Sequence, residues 1–148
     1  MFFAKPGIYE PCGIFSITHI IVLVICLVLI GIFVYKIRNI TAKKLNLITR
    51  IIAIVIVFLE TGKIVFSFVN HQTNLDSWVP LYFCSMFIFA TILSGYTKGW
   101  LKSLADAFIG SGGIIAGAMF LIMPSTSLTI YPMFHYLSCY SMLYHSLM

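Results

Sequence analysis

Long apolar runs constrain this chain more than any other feature. They cover residues 14–35, 45–69, 78–96, 100–123 and 131–148. A helix that crosses the hydrocarbon core of a bilayer needs roughly 20 apolar residues. Because lipid offers the backbone no hydrogen-bond partners, each run must satisfy its own polar groups and is predicted to be helical. The sequence therefore predicts an all-α, polytopic transmembrane bundle with four complete spans and the start of a fifth.

Composition supports the same class of protein. The chain has 148 residues, of which 61% are hydrophobic and 9% are charged, whereas soluble domains have about 25% charged residues. A soluble fold would need far more polar side chains to cover its exterior. The net charge of +5 does not indicate nucleic acid, because the basic residues lie in short loops between apolar runs. We expect one integral membrane domain over residues 1–148.

The loops predict an orientation. The first run is too long for the core of a signal peptide, which spans about 7–15 residues, so we expect it to be retained. Loops 36–50 and 97–102 carry lysine and arginine, whereas segments 70–77 and 124–130 carry neither. Basic loops stay on the cytoplasmic side. The N-terminus is therefore predicted to lie outside the cell membrane.

Ionisable residues within the runs are costly in lipid and mark either function or a buried pair. Glu60 and Lys63 are three residues apart and share a helix face. They are interpreted either as a structural ion pair or, together with His135, as the polar lining of a substrate cavity. Lys102 and Asp106, four residues apart near the start of the fourth run, predict a pair at the membrane interface.

Small residues cluster in the fourth run. Gly113 and Gly117 form a G-x-x-x-G pattern, and Gly112 with Ala116 repeats its spacing. Such patterns let two helices approach closely. We expect packing within the chain, with a homo-oligomer through the Gly113/Gly117 face as the alternative.

Histidines and cysteines supply the remaining candidates. His19, His135, His145 and Cys84 all fall within apolar runs. Their spacing matches neither a zinc site nor a disulfide framework. Phosphate-binding glycine motifs are absent from the sequence, so we expect no metal and no cofactor. By composition alone, a cysteine such as Cys84 is more often a small buried hydrophobe than a nucleophile.

Depth along the predicted spans groups several of these residues. At a helical rise of about 1.5 Å per residue, His19, Lys63 and Cys84 lie roughly 8–10 Å from the outer end of their spans. His135 lies at about 5 Å and His145 at about 20 Å on the same count. Polar groups at similar depth on several spans are what a cavity that opens outward would require.

Four segments and their order carry a family resemblance: FSITHIIVL, LETGK, VPLYFCSMF and SMLYH. The run GSGGIIAGAMFLIMPSTS adds a glycine-rich helix followed by a proline loop. Together they resemble the YwaF family of bacterial integral membrane proteins. That family is distantly related to a eukaryotic acyltransferase, transmembrane protein 164, which handles phospholipid acyl chains. Its members are longer, so we expect this chain to be truncated at its C-terminus.

The resemblance implies a lipid acyl-transfer or acyl-hydrolase activity with membrane lipids as partners. Carried over by position, Cys84 is the nucleophile and His145 its helper, with His19 as an alternative base. A histidine beside a thiol favours the reactive thiolate. Two other classes stay open. A proton-coupled or small-solute transporter would use Glu60, Lys63 and the histidines as a path, and a structural membrane protein would have no activity.

Overall fold

The computed structural model describes residues 2–5, 7–71 and 83–148. Within these ranges the chain is helical and has no β-strand. The helices are α1 (Ile17–Ile37), α2 (Ala42–Val69), α3 (Met86–Tyr96), α4 (Trp100–Ile122) and α5 (Tyr136–Ser146). The all-α prediction is confirmed. By length and composition, α1, α2 and α4 are long and apolar enough to cross a membrane.

Two predicted spans differ from the helices observed. The third was predicted over 78–96, but α3 begins at Met86 after a turn at 83–85, and residues 78–82 lie outside the described part of the chain. The fifth was predicted over 131–148, but the helix covers only Tyr136–Ser146. Turns occupy most of the stretch before it. Pro124 and Pro132 explain this difference, because proline has no N–H to donate within a helix.

The chain divides into two compact units. Unit 1 comprises Met1–Asn39 and Gly117–Ser146, and unit 2 comprises Ile40–Ala116 and Leu147–Met148. Unit 1 therefore holds α1, the end of α4 and α5. Unit 2 holds α2, α3 and most of α4.

In unit 1 the N-terminal segment bonds to the turns that precede α5. Cys12 N donates to Tyr131 O at 3.1 Å, and Gly13 N donates to Leu128 O at 2.8 Å. Gly13 has φ 78°, a conformation that glycine adopts without a steric penalty. Ser16 then caps α1 by accepting a hydrogen bond from His19 N at 3.2 Å. The N-terminal segment is thus part of the packed unit.

In unit 2 two basic side chains bond to the end of α3. Arg50 Nε donates to Gly95 O at 2.6 Å, and Lys102 Nζ donates to Ser94 O at 2.9 Å. The last carbonyls of a helix lack partners within it and carry partial negative charge, so cations stabilise them. A Cβ at Gly95 would lie 3.0 Å from Arg50 Cγ, so glycine permits this close approach of α2 and α3.

A π-helical turn, Ile109–Gly113, interrupts α4. It lies between the α-helical stretches Trp100–Phe108 and Ile114–Ile122. Ser111 Oγ within it donates to Ala107 O at 2.8 Å. Short π turns inside α-helices are frequent at functional sites, so the surroundings of this turn are described below with the candidate site.

Candidate functional site

His19 lies fully buried in unit 1, and both of its ring nitrogens have partners. Nε2 lies 3.0 Å from Leu121 O. Since a carbonyl can only accept, Nε2 carries the proton. Nδ1 then accepts from Phe15 N at 3.1 Å, where Phe15 has φ 61°. Leu121 lies in the last turn of α4, whose carbonyls need partners from outside the helix. His19 thus links the start of α1 to the end of α4.

His135 makes a similar pair of bonds at the start of α5. Its Nε2 donates to Ala4 O at 3.0 Å, and its Nδ1 accepts from Leu137 N at 3.2 Å. The ring stacks on Tyr131 with centroids 4.2 Å apart. This arrangement connects the N-terminal segment to α5 and engages both nitrogens.

His145 differs from both. Its Nδ1 donates to Ser141 O at 2.8 Å, so in the neutral ring Nδ1 carries the proton and Nε2 keeps its lone pair. Nε2 is buried and has no hydrogen-bond partner among the described residues. The ring stacks on Phe120, with centroids 3.6 Å apart and planes 7° apart. The neutral ring of His145 therefore has a set tautomer with an open lone pair on Nε2, which is the form in which a histidine acts as a general base.

Two buried hydroxyls in unit 1 are also unsatisfied. Ser138 Oγ and Ser127 Oγ have no hydrogen-bond partner in the described part of the chain. Ser138 is seven residues before His145 on α5, so the two share a helix face, and both are buried. Buried polar groups are normally bonded, so unsatisfied groups in one unit are a feature that needs an explanation.

Cys84 lies in the turn that leads into α3 in unit 2 and is half-buried. Its carbonyl oxygen accepts from Phe87 N at 3.1 Å. His145 and His19 belong to unit 1. The joint roles predicted for Cys84 and these histidines stay predictions.

The predicted Glu60–Lys63 pair forms within α2. Lys63 Nζ donates to Glu60 Oε1, and the Glu60 side chain is only 6% exposed. Pairing is what makes burial of a carboxylate tolerable. His135, predicted to line the same cavity, belongs to unit 1. Whether the pair has a structural role or lines a cavity stays a prediction.

A polar cluster at the α3–α4 turn includes a residue that the sequence analysis missed. Lys102 Nζ lies 3.2 Å from Asp106 Oδ2, as the spacing of four indicated. Ser94 Oγ also donates to Asp106. Ser94 reaches Asp106 only because α3 and α4 pack against each other. The spacing of the two residues in the sequence does not indicate this contact.

Gly112 and Gly113 of α4 pack against other parts of unit 2. A Cβ at Gly112 or at Gly113 would lie 3.2 Å or 3.1 Å, respectively, from atoms of the Phe87 ring. Gly113 and Gly117 are buried. A homo-oligomer through the Gly113/Gly117 face stays a prediction. Among the described residues no group of three or more His, Cys, Asp and Glu is placed to hold a metal ion.

Comparison with known proteins gives one family. The model of the TMEM164 family matches residues 14–148. No curated protein and no solved structure matches the chain.

Proposed function

Since the match covers residues 14–148, the chain belongs to the TMEM164 family, and we propose that it is an enzyme that transfers or hydrolyses lipid acyl chains. Its motifs also support a place in the YwaF-type bacterial branch. The observation that carries the proposal is the state of His145. Of the three buried histidines, His145 alone keeps an open ring nitrogen within the described residues.

The proposed roles follow from side-chain chemistry. The family resemblance assigns Cys84 as the nucleophile and His145 as its base. Within His145, Nε2 is the nitrogen that can accept a proton, because Nδ1 already donates to Ser141 O. The thiolate attacks the carbonyl carbon of a lipid ester, and a tetrahedral intermediate forms. When the ester C–O bond breaks, the imidazolium gives its proton to the leaving alkoxide, and a thioester remains on Cys84.

The second half of the reaction restores the enzyme. The hydroxyl of a second lipid, or water, gives its proton to His145 Nε2 while its oxygen attacks the thioester carbonyl. The C–S bond breaks, and the Cys84 sulfur takes the proton back. With a lipid hydroxyl as the acceptor the enzyme is a transferase, and with water it is a hydrolase.

A membrane setting supports a lipid substrate. Apolar side chains on α1 are exposed around the helix, with Ile17 80%, Leu29 60% and Tyr35 64% exposed. Lipid chains cover such surfaces in a membrane. We further propose that the N-terminus lies outside the cell membrane and that the basic loops 36–50 and 97–102 are cytoplasmic.

Replacement of His145 by asparagine tests the proposal. The asparagine amide can still donate to Ser141 O, but the residue has no basic nitrogen. We expect a loss of about 10²–10⁴-fold in the release or transfer of a labelled acyl chain from phospholipid, the usual contribution of general acid–base catalysis. His71→Asn, at an exposed histidine, is the matched control and should keep full activity. Equal activity of the two variants would refute the role of His145.

The buried Glu60–Lys63 pair supports a second candidate, a proton-coupled transporter. A carboxylate inside a span can exchange protons along a solute path. This candidate predicts that Glu60→Gln abolishes pH-dependent flux into vesicles while Cys84→Ala leaves it intact. Flux that is unchanged in Glu60→Gln would exclude this candidate.

A further inference from the structure

The two phenylalanines that flank Cys84 pack against the π turn of α4. The Phe87 ring centroid lies 4.8 Å from that of Phe108, the residue just before the turn, and Phe83 lies 5.5 Å from it. Phe87 is fully buried. Because Phe87 N also donates to Cys84 O, the ring and the Cys84 backbone belong to one tightly connected turn.

Gly112 is where α4 comes close to both rings. A Cβ there would lie 3.2 Å from Phe87 Cζ and 3.4 Å from Phe83 Cζ. A Cβ at Gly110, two residues earlier in the same π turn, would meet no heavy atom of the described residues within 4 Å, apart from its chain neighbours and the backbone of its own helix. The close approach therefore belongs to one side of the π turn. Gly113 also lies on that side, but its Cβ would additionally lie 2.7 Å from Met148 O.

We infer that Gly112 is a positioning residue for Cys84, acting through the rings of Phe83 and Phe87. This inference rests on the proposed role of Cys84 as the nucleophile. The missing side chain leaves a recess in the π turn, and the ring ends occupy it. With the rings seated there, the short turn between them sets the position of the Cys84 sulfur.

A methyl group at Gly112 would disturb that arrangement. At 3.2 Å, Phe87 Cζ must move by a few tenths of an ångström to accommodate it. Phe87 is fully buried, and close-packed interiors transmit such displacements rather than absorb them. The hydrogen bond from Phe87 N to Cys84 O then carries the movement to the nucleophile. Misplacement of a reacting group by about 1 Å can cost roughly 10²-fold in rate.

The test compares Gly112→Ala with Gly110→Ala in the full chain, reconstituted in phosphatidylcholine vesicles. The measured quantities are the rate of Cys84 alkylation by iodoacetamide as a function of pH, and the kcat and KM of acyl release. Mass spectrometry of peptides separates Cys84 from Cys26, which lies on α1 and serves as the internal reference. We expect Gly112→Ala to change the alkylation rate and lower kcat, each by about tenfold, since a displacement below 1 Å costs less than the 10²-fold limit. KM and the alkylation rate of Cys26 should be unchanged in this variant. Gly110→Ala should leave the alkylation rates, kcat and KM unchanged.

A compensating change separates positioning from general destabilisation. Leucine at Phe87 removes the ring end that meets the new methyl group, so Gly112→Ala with Phe87→Leu should recover most of the Cys84 alkylation rate. The inference is wrong if iodoacetamide alkylates Cys84 at the same rate in the Gly112→Ala and Gly110→Ala variants. It is also wrong if Gly112→Ala changes the alkylation rates of Cys84 and Cys26 by the same factor and Phe87→Leu does not restore the rate at Cys84. Full acyl-release activity in Cys84→Ala would instead refute the proposed function, while the alkylation rates would still decide the positioning role.

Discussion

Replacement of His19 by leucine removes two hydrogen bonds that link the start of α1 to the end of α4. Leu121 O would lose the Nε2 donor at 3.0 Å, and Phe15 N would lose the Nδ1 acceptor at 3.1 Å. Leucine is close to histidine in volume, so the cavity term is small. The cost therefore comes mainly from two backbone groups left without partners around a side chain that is fully buried.

The magnitude follows from those two groups. A buried donor or acceptor left unpaired costs about 1–3 kcal/mol, so His19→Leu should lower the free energy of unfolding by about 2–6 kcal/mol. Whole domains have only about 5–15 kcal/mol of stability. The loss is therefore a large share of what holds unit 1 together.

The assay is unfolding of the purified protein in mixed micelles, followed by circular dichroism as the fraction of denaturing detergent rises. Ile20→Leu is the matched control, because the neighbouring Ile20 is 46% exposed on the same helix. It should change the free energy by less than about 0.5 kcal/mol, as surface substitutions do. If His19→Leu is as stable as Ile20→Leu, the two bonds do not stabilise the fold and the reasoning fails.

Two further predictions use the same assay. Glu60→Gln should lower the free energy of unfolding by about 3 kcal/mol, since it removes the carboxylate that pairs with the half-buried Lys63 ammonium. The double variant Glu60→Gln with Lys63→Met should lose less stability than this single change. A double variant that is less stable than Glu60→Gln alone would contradict that account of the pair. Ser138→Ala should be neutral or stabilising by up to about 1 kcal/mol because its buried hydroxyl is unsatisfied, whereas Ser94→Ala should cost about 1–2 kcal/mol because Ser94 donates to Asp106. Destabilisation by Ser138→Ala would mean that its hydroxyl has a bound partner such as water.

The long helices were predictable because their apolar runs match the thickness of a bilayer. The first run was predicted over 14–35, and α1 covers Ile17–Ile37. The helix begins three residues later than the run because Ser16 accepts from His19 N and so caps the helix at its first turn. The fifth run, 131–148, begins before α5 because apolar composition does not distinguish a helix from the turns around Pro132. The π turn was not predicted, since it leaves no periodic signal in a glycine-rich stretch.

The sequence supplies candidate residues for the site but not their hydrogen-bonding states. The sequence identified His145 and His19 as candidate bases and His135 as a candidate cavity residue, but it did not show which of their ring nitrogens are engaged. Their difference depends on partners such as Leu121 O, which lies 102 residues from His19 along the chain. Such a contact has no local signature. The distinction between engaged and open histidines therefore had to come from the folded structure.

The central claim is that Cys84 carries the acyl group during the reaction, and trapping of that intermediate tests it most directly. The protein would be incubated in vesicles with a phospholipid that bears an alkyne-tagged acyl chain and then digested. Mass spectrometry would give the mass of each cysteine-containing peptide. The account predicts a tagged thioester on Cys84 that hydroxylamine removes, that His145→Asn suppresses, and that does not form on Cys26. An untagged Cys84 in protein that still releases or transfers the acyl chain would contradict it.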